Sequence, residues 1–581
     1  MNMQQMSGIA AALAALGLAG AGLSACSDSD RHEQAPEQAS QQPPQSLPQL
    51  SAATGGSLNS CADLAARITY PDTTITAVNA ISAGTVKVGG NPIDAHCQVL
   101  GQLLRRVSPQ DGKTYAIGFE MRLPLKWNGR FFYQANGGID GSVVTALGPV
   151  GSGGPLDNAL NQGFAVISSD AGHSGPTPDF GIDFQARLDY GYQAVGKLTP
   201  MAKSVIQTAY GKGPDRSYIG GCSNGGRHTM VAAARYADQY DGFLVGDPGF
   251  RLPLAAIANI AGAKTYASLA TTPSDIGTGF TQAERALVSN AVLGKCDALD
   301  GAADGLVQDT GACQKAFDIN RDVPTCSGAR DGTCLSSAQK TGIAALFAGA
   351  TTETGTRIYT SFPWDAGLAT GGWASWKFGA PIDRDSGAVG LIWSVPPENP
   401  ATFNGPAFAL NGSLSTMLAR VGATSGVYTE SALSFMLPPD VANLGKLKNR
   451  GAKMLVYHGT SDPIFSSDDT TAWYESLRAA NNGDASNFAR FYRVPGMNHC
   501  SGGPATDQFD ALTPLVNWVE KGQAPESLLA SARGAGNAGG VNADVPASWS
   551  ASRTRPLCPY PKVAKYKGTG DIEQAANFTC Q

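Results

Sequence analysis

The chain has 581 residues, 42% apolar and 15% charged, with a formal net charge of −5. At roughly 150 residues per domain, that length allows two to four domains with large cores. No long basic run appears, which argues against a nucleic-acid partner, since that function needs concentrated positive charge. Eleven cysteines are many for a cytosolic enzyme and suit an exported one.

The N-terminus agrees with export. "SGIAAALAALGLAGAGLSAC" is an apolar run ending in Leu23-Ser24-Ala25-Cys26. Residues 1–26 read as a signal peptide with a lipobox, and Cys26 as the lipidated residue. One departure is that no Lys or Arg precedes the apolar stretch, as a signal peptide normally requires. A simply cleaved signal or a single membrane anchor is the alternative. The expected location is the outer membrane as a lipoprotein, or a secreted or periplasmic one, with membrane contact only through the lipid. Residues 27–56 are polar and rich in Gln and Pro, so they are expected to form a disordered tether.

From about residue 60 the pattern becomes globular. "GRFFYQANGG" (129–138) reads as a strand entering a Gly-rich loop, and "GFAVISSDAGH" (163–173) as a buried strand ending in a polar turn. "RSYIGGCSNGGRHTMVAAARYADQYDGFLVGDPG" (216–249) reads as strand, tight turn, helix, strand. "GAKMLVYHGTSD" (451–462) and "ARFYRVPGMNHC" (489–500) are again short strands followed by polar loops, and "TDQFDALTPLVNWVEKG" (506–522) reads as a closing helix. This alternation predicts a mostly parallel sheet with helices on both faces. It lapses between 252 and 445, a stretch too long to be one structureless loop, which is expected to be an inserted lid domain. The core then comprises 57–251 and 446–581.

Gly221-Cys222-Ser223-Asn224-Gly225 fits the G-x-S-x-G elbow, where a strained strand-to-helix turn presents a serine hydroxyl. A serine nucleophile needs a base, and the base needs an orienting acid. Downstream of Ser223 the histidines are His228, His458 and His499. His228 lies in the elbow helix, and His458, which precedes the candidate acid, reads as a structural or pocket-lining residue. The order serine, acid, histidine therefore selects His499, with Asp462 as the acid. Asp468 and Asp469 are alternatives that fit better as the opening residues of the next helix.

Cys222 precedes the nucleophile and Cys500 follows the base. If Ser223 and His499 touch, a Cys222–Cys500 bridge becomes possible. Closing so long a loop contributes roughly 5 kcal/mol in the chain-entropy view. The competing reading, Cys222 as a nucleophile, needs an exposed low-pKa thiol. With Cys26 set aside, ten cysteines remain, and the count alone leaves the connectivity open.

The Cys-Ser pair, the Asp and the His-Cys pair resemble the tannase/feruloyl esterase family. So do "WNGRFF", "CDALDG", "YHGTSDPIFS", "VPGMNHCSGGPATDQFDALTPLV", "RTRPLCPYP" and "YKGTGDI". The resemblance spans about residues 57–581. It implies an α/β-hydrolase core with a large inserted lid, and the pairs Cys61–Cys97, Cys222–Cys500, Cys296–Cys313, Cys326–Cys334 and Cys558–Cys580. It implies a structural calcium site in the lid, with carboxylates from Asp297, Asp300 and Asp304 and carbonyl oxygens from Ala302 and Leu306, a donor set suited to that hard cation. It also implies main-chain oxyanion donors at Gly138 and Asn224, and a pocket with Arg384, Trp376, Leu252, His458 and Ile464.

The function so implied is a monomeric serine esterase that cleaves small esters of aromatic carboxylic acids through an acyl-enzyme. If the far side of the ring carries a carboxylate, Arg384 would grip it; phenolic hydroxyls, as in feruloyl or galloyl esters, would need neutral or acidic partners instead. The rival from another class is a non-catalytic, calcium-dependent surface binding protein.

Overall fold

The computed structural model describes residues 46–581. The expected signal peptide, Cys26 and most of the expected tether lie outside the described residues. The expected tether does not extend to residue 56. Gln49 donates to the Val519 carbonyl (2.8 Å), the Ala53 amide to Glu520 (2.9 Å) and the Thr54 amide to Asp215 (2.7 Å). Gly56–Ser57 then pairs antiparallel with Lys126–Trp127. Composition reads whether a segment can build its own core; it misses a segment whose backbone is bonded by a folded neighbour.

The core is a nine-stranded sheet. In chain order its strands are β1 (Thr73–Ile81), β2 (His96–Val107), β3 (Thr114–Pro124), β4 (Arg130–Gln134), β5 (Ala165–Ser169), β6 (Arg216–Cys222), β7 (Gly242–Gly246), β8 (Lys453–Gly459) and β9 (Ala489–Val494). Their spatial order is β9-β8-β7-β6-β4-β5-β3-β2-β1. The run from β9 to β5 is parallel, and β3, β2 and β1 add antiparallel at the other edge. Strands buried on both faces read as continuous apolar runs. Successive residues still divide between two cores, as the two-residue period of a strand requires. Phe131, Ile219, Phe243, Met454 and Phe491 enter one core, and their neighbours Phe132, Tyr218, Leu244, Leu455 and Tyr492 enter the other.

Helices α1 (Ala194–Tyr210), α2 (Asn224–Arg235), α3 (Leu252–Leu269), α4 (Ser467–Ala479) and α5 (Leu512–Lys521) carry the architecture. Helices α1, α2 and α4 bury residues in the first core, while α5 covers the second with Leu512, Leu515 and Val519. The closing helix starts later than its apolar spacing suggests. Residues 506–511 are not helical, because Gln508 bridges to Ser531 and Asp510 accepts from the Thr513 amide (3.0 Å), beside the helix start.

Helix α3 opens the segment read as a lid. That segment has its own core, built from Tyr266, Phe280, Val288, Val292, Ile343 and Trp373 among others, around Cys296 and Cys313. A second cluster joins α3 and Trp393 to Phe180 and Tyr190 of the sheet domain. All five expected cysteine pairs are bonded. Among the described residues no helix is long and apolar enough to cross a membrane.

Candidate active site

Ser223 sits between β6 and α2 with φ +67° and ψ −126°, a conformation that a non-glycine residue holds only when its surroundings force it. The flanking glycines show what forces it. A Cβ on Gly221 would lie 2.2 Å from the Ala135 carbonyl oxygen, and one on Gly225 would lie 2.3 Å from the same atom. The elbow and the loop after β4 are therefore pressed together.

His499 Nε2 lies 2.8 Å from Ser223 Oγ, and Nδ1 lies 2.7 Å from Asp462 Oδ2. Each of the three follows a parallel strand: Ser223 after β6, Asp462 after β8, His499 after β9. The other Asp462 oxygen accepts from the amides of Ile464 (2.9 Å) and Phe465 (3.0 Å), so the carboxylate is aimed by main chain. Burial alone would raise its pKa. It is instead held well below the ordinary value by His499 and His458, which both face it. The Cys222–Cys500 bridge joins the elbow to the histidine loop, with Cα atoms 6.0 Å apart across 278 residues of sequence. No thiol remains at Cys222 to act as a nucleophile.

Of its two expected places, structural or pocket-lining, His458 takes the structural one. It is fully buried behind the acid rather than lining the pocket. Its Nδ1 meets Thr470 Oγ1 at 2.8 Å, and its Nε2 meets the Phe465 carbonyl at 3.0 Å and Asp462 Oδ2 at 3.3 Å. Its place near the end of strand β8 points it inward, toward Thr470 on α4. Asp247, after β7, was not anticipated from the sequence. Its Oδ1 accepts from the Gly459 amide (2.8 Å), and it lies 3.9 Å from His458 Nε2. Burial, reinforced by the charge on Asp462, pushes the Asp247 carboxyl up to about 7.

Ser223 opens into a cavity lined by Gly138, Ile139, Tyr190, Asn224, Leu252, Trp376, Arg384, Asp385, Trp393 and Ile464, among others. Of the expected pocket residues, Leu252, Trp376, Arg384 and Ile464 converge here, together with both expected oxyanion residues. Tyr190, Trp393, Phe465 and Asp385 were not legible as pocket residues. Several of the lid residues ride on wide π-helical turns, Ser375–Gly379, Pro381–Asp385 and Ala388–Trp393. Such turns carry no sequence signature, although they recur at functional sites. Trp376 meets His499 edge to face (5.0 Å between centroids), and Arg384 lies over the Trp376 ring at 4.7 Å. A larger cavity lies elsewhere, between the lid helix Gln282–Cys296 and the segment around Trp549, and no member of the Ser–His–Asp set lines it.

Neither the Gly138 nor the Asn224 amide has a hydrogen-bond acceptor among the described residues. The Ser223 amide is already given to the Gly246 carbonyl (3.0 Å).

In the lid, Asp297, Asp300 and Asp304 lie on a loop closed by the Cys296–Cys313 bridge. Asp300 is pushed up to about 7 by burial and by its two acidic neighbours, and its buried Oδ2 has no partner. The carbonyls of Ala302 and Leu306 are buried and accept no hydrogen bond among the described residues. Asp304 also accepts from Arg555. Three such unsatisfied oxygens, in residues spaced two and four apart, fit a hard oxygen-seeking cation.

A serine on a strand–elbow–helix turn, bonded to a His–Asp pair at the carboxyl edge of a mostly parallel sheet, is the arrangement of the α/β-hydrolase class. The family described as "Tannase and feruloyl esterase" matches residues 97–581, and the chain belongs to that family; it is a carboxylic ester hydrolase. It is 40% identical over 528 residues to mono(2-hydroxyethyl) terephthalate hydrolase of Piscinibacter sakaiensis, covering 84% of each chain. It is 27% identical to feruloyl esterase B of Aspergillus niger, over 79% of this chain and 83% of that one. Feruloyl esterase B from Aspergillus oryzae, a solved structure, shares the fold with a TM-score of 0.70 at 22% identity, over 90% of this chain and 99% of that one.

Proposed function

We propose that the chain hydrolyses monoesters of aromatic dicarboxylic acids, with mono(2-hydroxyethyl) terephthalate as the leading substrate. In this reading His499 takes the proton from Ser223 as its Oγ attacks the ester carbonyl. Asp462 keeps the imidazole in the tautomer that can accept. The Gly138 and Asn224 amides receive the developing oxyanion, which two preorganised donors stabilise by several kcal/mol. His499 returns the proton to the leaving alcohol, and water repeats the sequence to release the acid.

One observation carries the choice of substrate. Arg384 makes no ion pair among the described residues, yet it stands at the aromatic wall of the cavity, stacked on Trp376. A planar guanidinium so placed suits a carboxylate across the ring from the scissile ester. A second reading, feruloyl or galloyl esters, is favoured by Asp385. Its Oδ2 is buried and unpartnered on the same cavity, and burial pushes it up to about 7, so it can meet a phenolic hydroxyl. The two are separated by kcat/KM for mono(2-hydroxyethyl) terephthalate, methyl ferulate and methyl gallate, in wild type, Arg384→Ala and Asp385→Asn. The leading reading expects Arg384→Ala to cost about 10- to 100-fold on the terephthalate ester alone. A larger loss on the phenolic esters from Asp385→Asn would move the choice to the second reading. Turnover surviving in Ser223→Ala would defeat both.

The Asp297–Leu306 loop is proposed as a structural calcium site that braces the lid. Chelation followed by Ca2+ titration is expected to lower and then restore the melting temperature, while Asp300→Asn abolishes the response. The reading of the N-terminus as a lipobox is likewise a proposal; metabolic labelling with a fatty acid should fail in Cys26→Ser.

A further inference from the structure

The two proposed oxyanion donors come from separate segments, the loop after β4 and the first turn of α2. Their spacing must hold to a fraction of an ångström, and neither backbone sets it alone. We propose that Asp140 is the positioning residue of the oxyanion hole, clamping the Gly138 loop to the Asn224 end of α2 through a buried network with Asn224, His228 and Arg227. The inference rests on the reading of Gly138 and Asn224 as the donors.

Asp140 stands two residues after Gly138 in a left-handed conformation, φ +57°. Aspartate is one of the few non-glycine residues that visits this region, and its carboxyl bonds fix it there. Its Oδ2 accepts from Asn224 Nδ2 at 2.8 Å and from His228 Nε2 at 2.9 Å. The Asn224 amide cannot be turned round, because its Oδ1 accepts from Arg227 Nε at 2.6 Å. Arg227 also meets His228 Nδ1 at 3.2 Å, and donates to the carbonyls of Gly191 (2.7 Å) and Tyr190 (3.0 Å). An imidazole that accepts at Nδ1 carries its proton on Nε2, where it donates to Asp140. In that tautomer Nε2–H points to Asp140, its nearest partner, and the approaches of Asn224 Nδ2 (3.2 Å) and Arg227 Nη2 (3.3 Å) to Nε2 are packing contacts rather than hydrogen bonds.

The cluster is buried, with one small cavity beside Asp140 and His228. Asn224, Arg227 and His228 are at most 3% exposed, and the Asp140 carboxyl is buried. A buried polar group that loses its partner stays unpaired, so the network holds one geometry rather than several. Burial raises the Asp140 carboxyl and lowers the His228 imidazole. Both donors converge on Oδ2, so a proton on Oδ1 leaves the clamp intact. Asn224 has two tasks: its main-chain amide faces the cavity while its side chain holds the opposite loop.

The test compares Asp140→Ala, Asp140→Asn and Asn224→Ala, each checked for fold by near-UV circular dichroism. The readouts are kcat and KM on a p-nitrophenyl aryl ester, and inhibition by an arylboronic acid against inhibition by benzoate. The boronate becomes tetrahedral on Ser223 and probes the hole; benzoate probes only the pocket. Asp140→Ala is expected to lower kcat about 100-fold with KM within about 3-fold, because a misplaced donor costs what a small misalignment costs. Boronate affinity should fall by a similar factor, benzoate affinity should not move, and Asp140→Asn, which keeps an acceptor, should recover most of kcat. A folded Asp140→Ala with unchanged kcat and boronate affinity overturns the proposal, as does an Asp140→Asn as poor as Asp140→Ala. If Asp140→Ala does not fold, Asn224→Ala cuts the same tie from the other side and is read the same way. Ser223→Ala distinguishes the failures: if it retains turnover, the underlying mechanism is wrong; if it is inactive while the clamp variants are normal, only this inference is lost.

Discussion

The two halves of the active site are built from different material. Ser223, Asp462 and His499 follow strands of one parallel sheet, and the Cys222–Cys500 bridge closes their frame. Trp376, Arg384, Asp385 and Trp393 hang from π-helical turns of the lid, which packs on the sheet domain through α3 and the cluster around Phe180. A sheet edge holds a geometry that chemistry needs unchanged, whereas irregular lid turns can be altered without disturbing it. The comparison implies that core substitutions change the rate for every ester alike, and that lid substitutions change the choice among esters.

The largest effect tests the core half. Asp462→Asn is expected to lower kcat about 10⁴-fold, because the amide can no longer accept from Nδ1–H and the imidazole turns to the wrong tautomer. The loss should be the same factor on terephthalate, ferulate and gallate esters. Added to Ser223→Ala, Asp462→Asn should cost nothing beyond the loss from Ser223→Ala alone, since groups that act as a unit are not additive. A loss that varied tenfold between substrates would show that the triad is not independent of the lid.

Cys222→Ala with Cys500→Ala comes next. Their sequence neighbours Ser223 and His499 hydrogen-bond directly, so the double variant should fold, with kcat lower by about 10- to 100-fold from a looser base. Mild reductant should reproduce this loss at temperatures where the far-ultraviolet spectrum is still native. Trp393→Ala tests the lid half: kcat/KM is expected to change by about 10-fold, unequally between the three esters and mainly through KM, because it removes binding area and no reacting group.

The asymmetry also explains what the sequence made legible. The elbow could be read because Gly221 and Gly225 are required by the nearness of Ala135, a local cause with a local signature. His499 and Asp462 followed from chain order in a parallel α/β frame, and the Cys222–Cys500 contact followed from them. Asp247 escaped because "GDPG" reads as an ordinary turn, and nothing in it tells that β7 lies beside β8 and places the carboxylate 3.9 Å from His458. His458 stayed open between a structural and a pocket-lining place for the matching reason, since a strand's two-residue period fixes its face only once the register is known. Tyr190 and Trp393 reach the cavity from segments whose course depends on lid packing, which the local sequence does not determine.

The smallest effect concerns that same Asp247. Its carboxyl is buried, and its folded pKa, about 7, lies above the 3.8 of an ordinary aspartate. Between those two values the folded state holds a proton that the unfolded state has released. Stability contributed by this group is therefore fully present below the unfolded value and is lost as pH rises through the folded one. Asp247→Asn keeps an acceptor for the Gly459 amide and removes the charge. The variant is expected to melt a few degrees above wild type at pH 8, with the gap narrowing steadily between pH 7 and pH 4. A melting gap that did not depend on pH would mean that Asp247 is ionised in the folded protein. His458 would then be its counter-ion, and the core side of the site would hold a second buried ion pair rather than a neutral carboxyl.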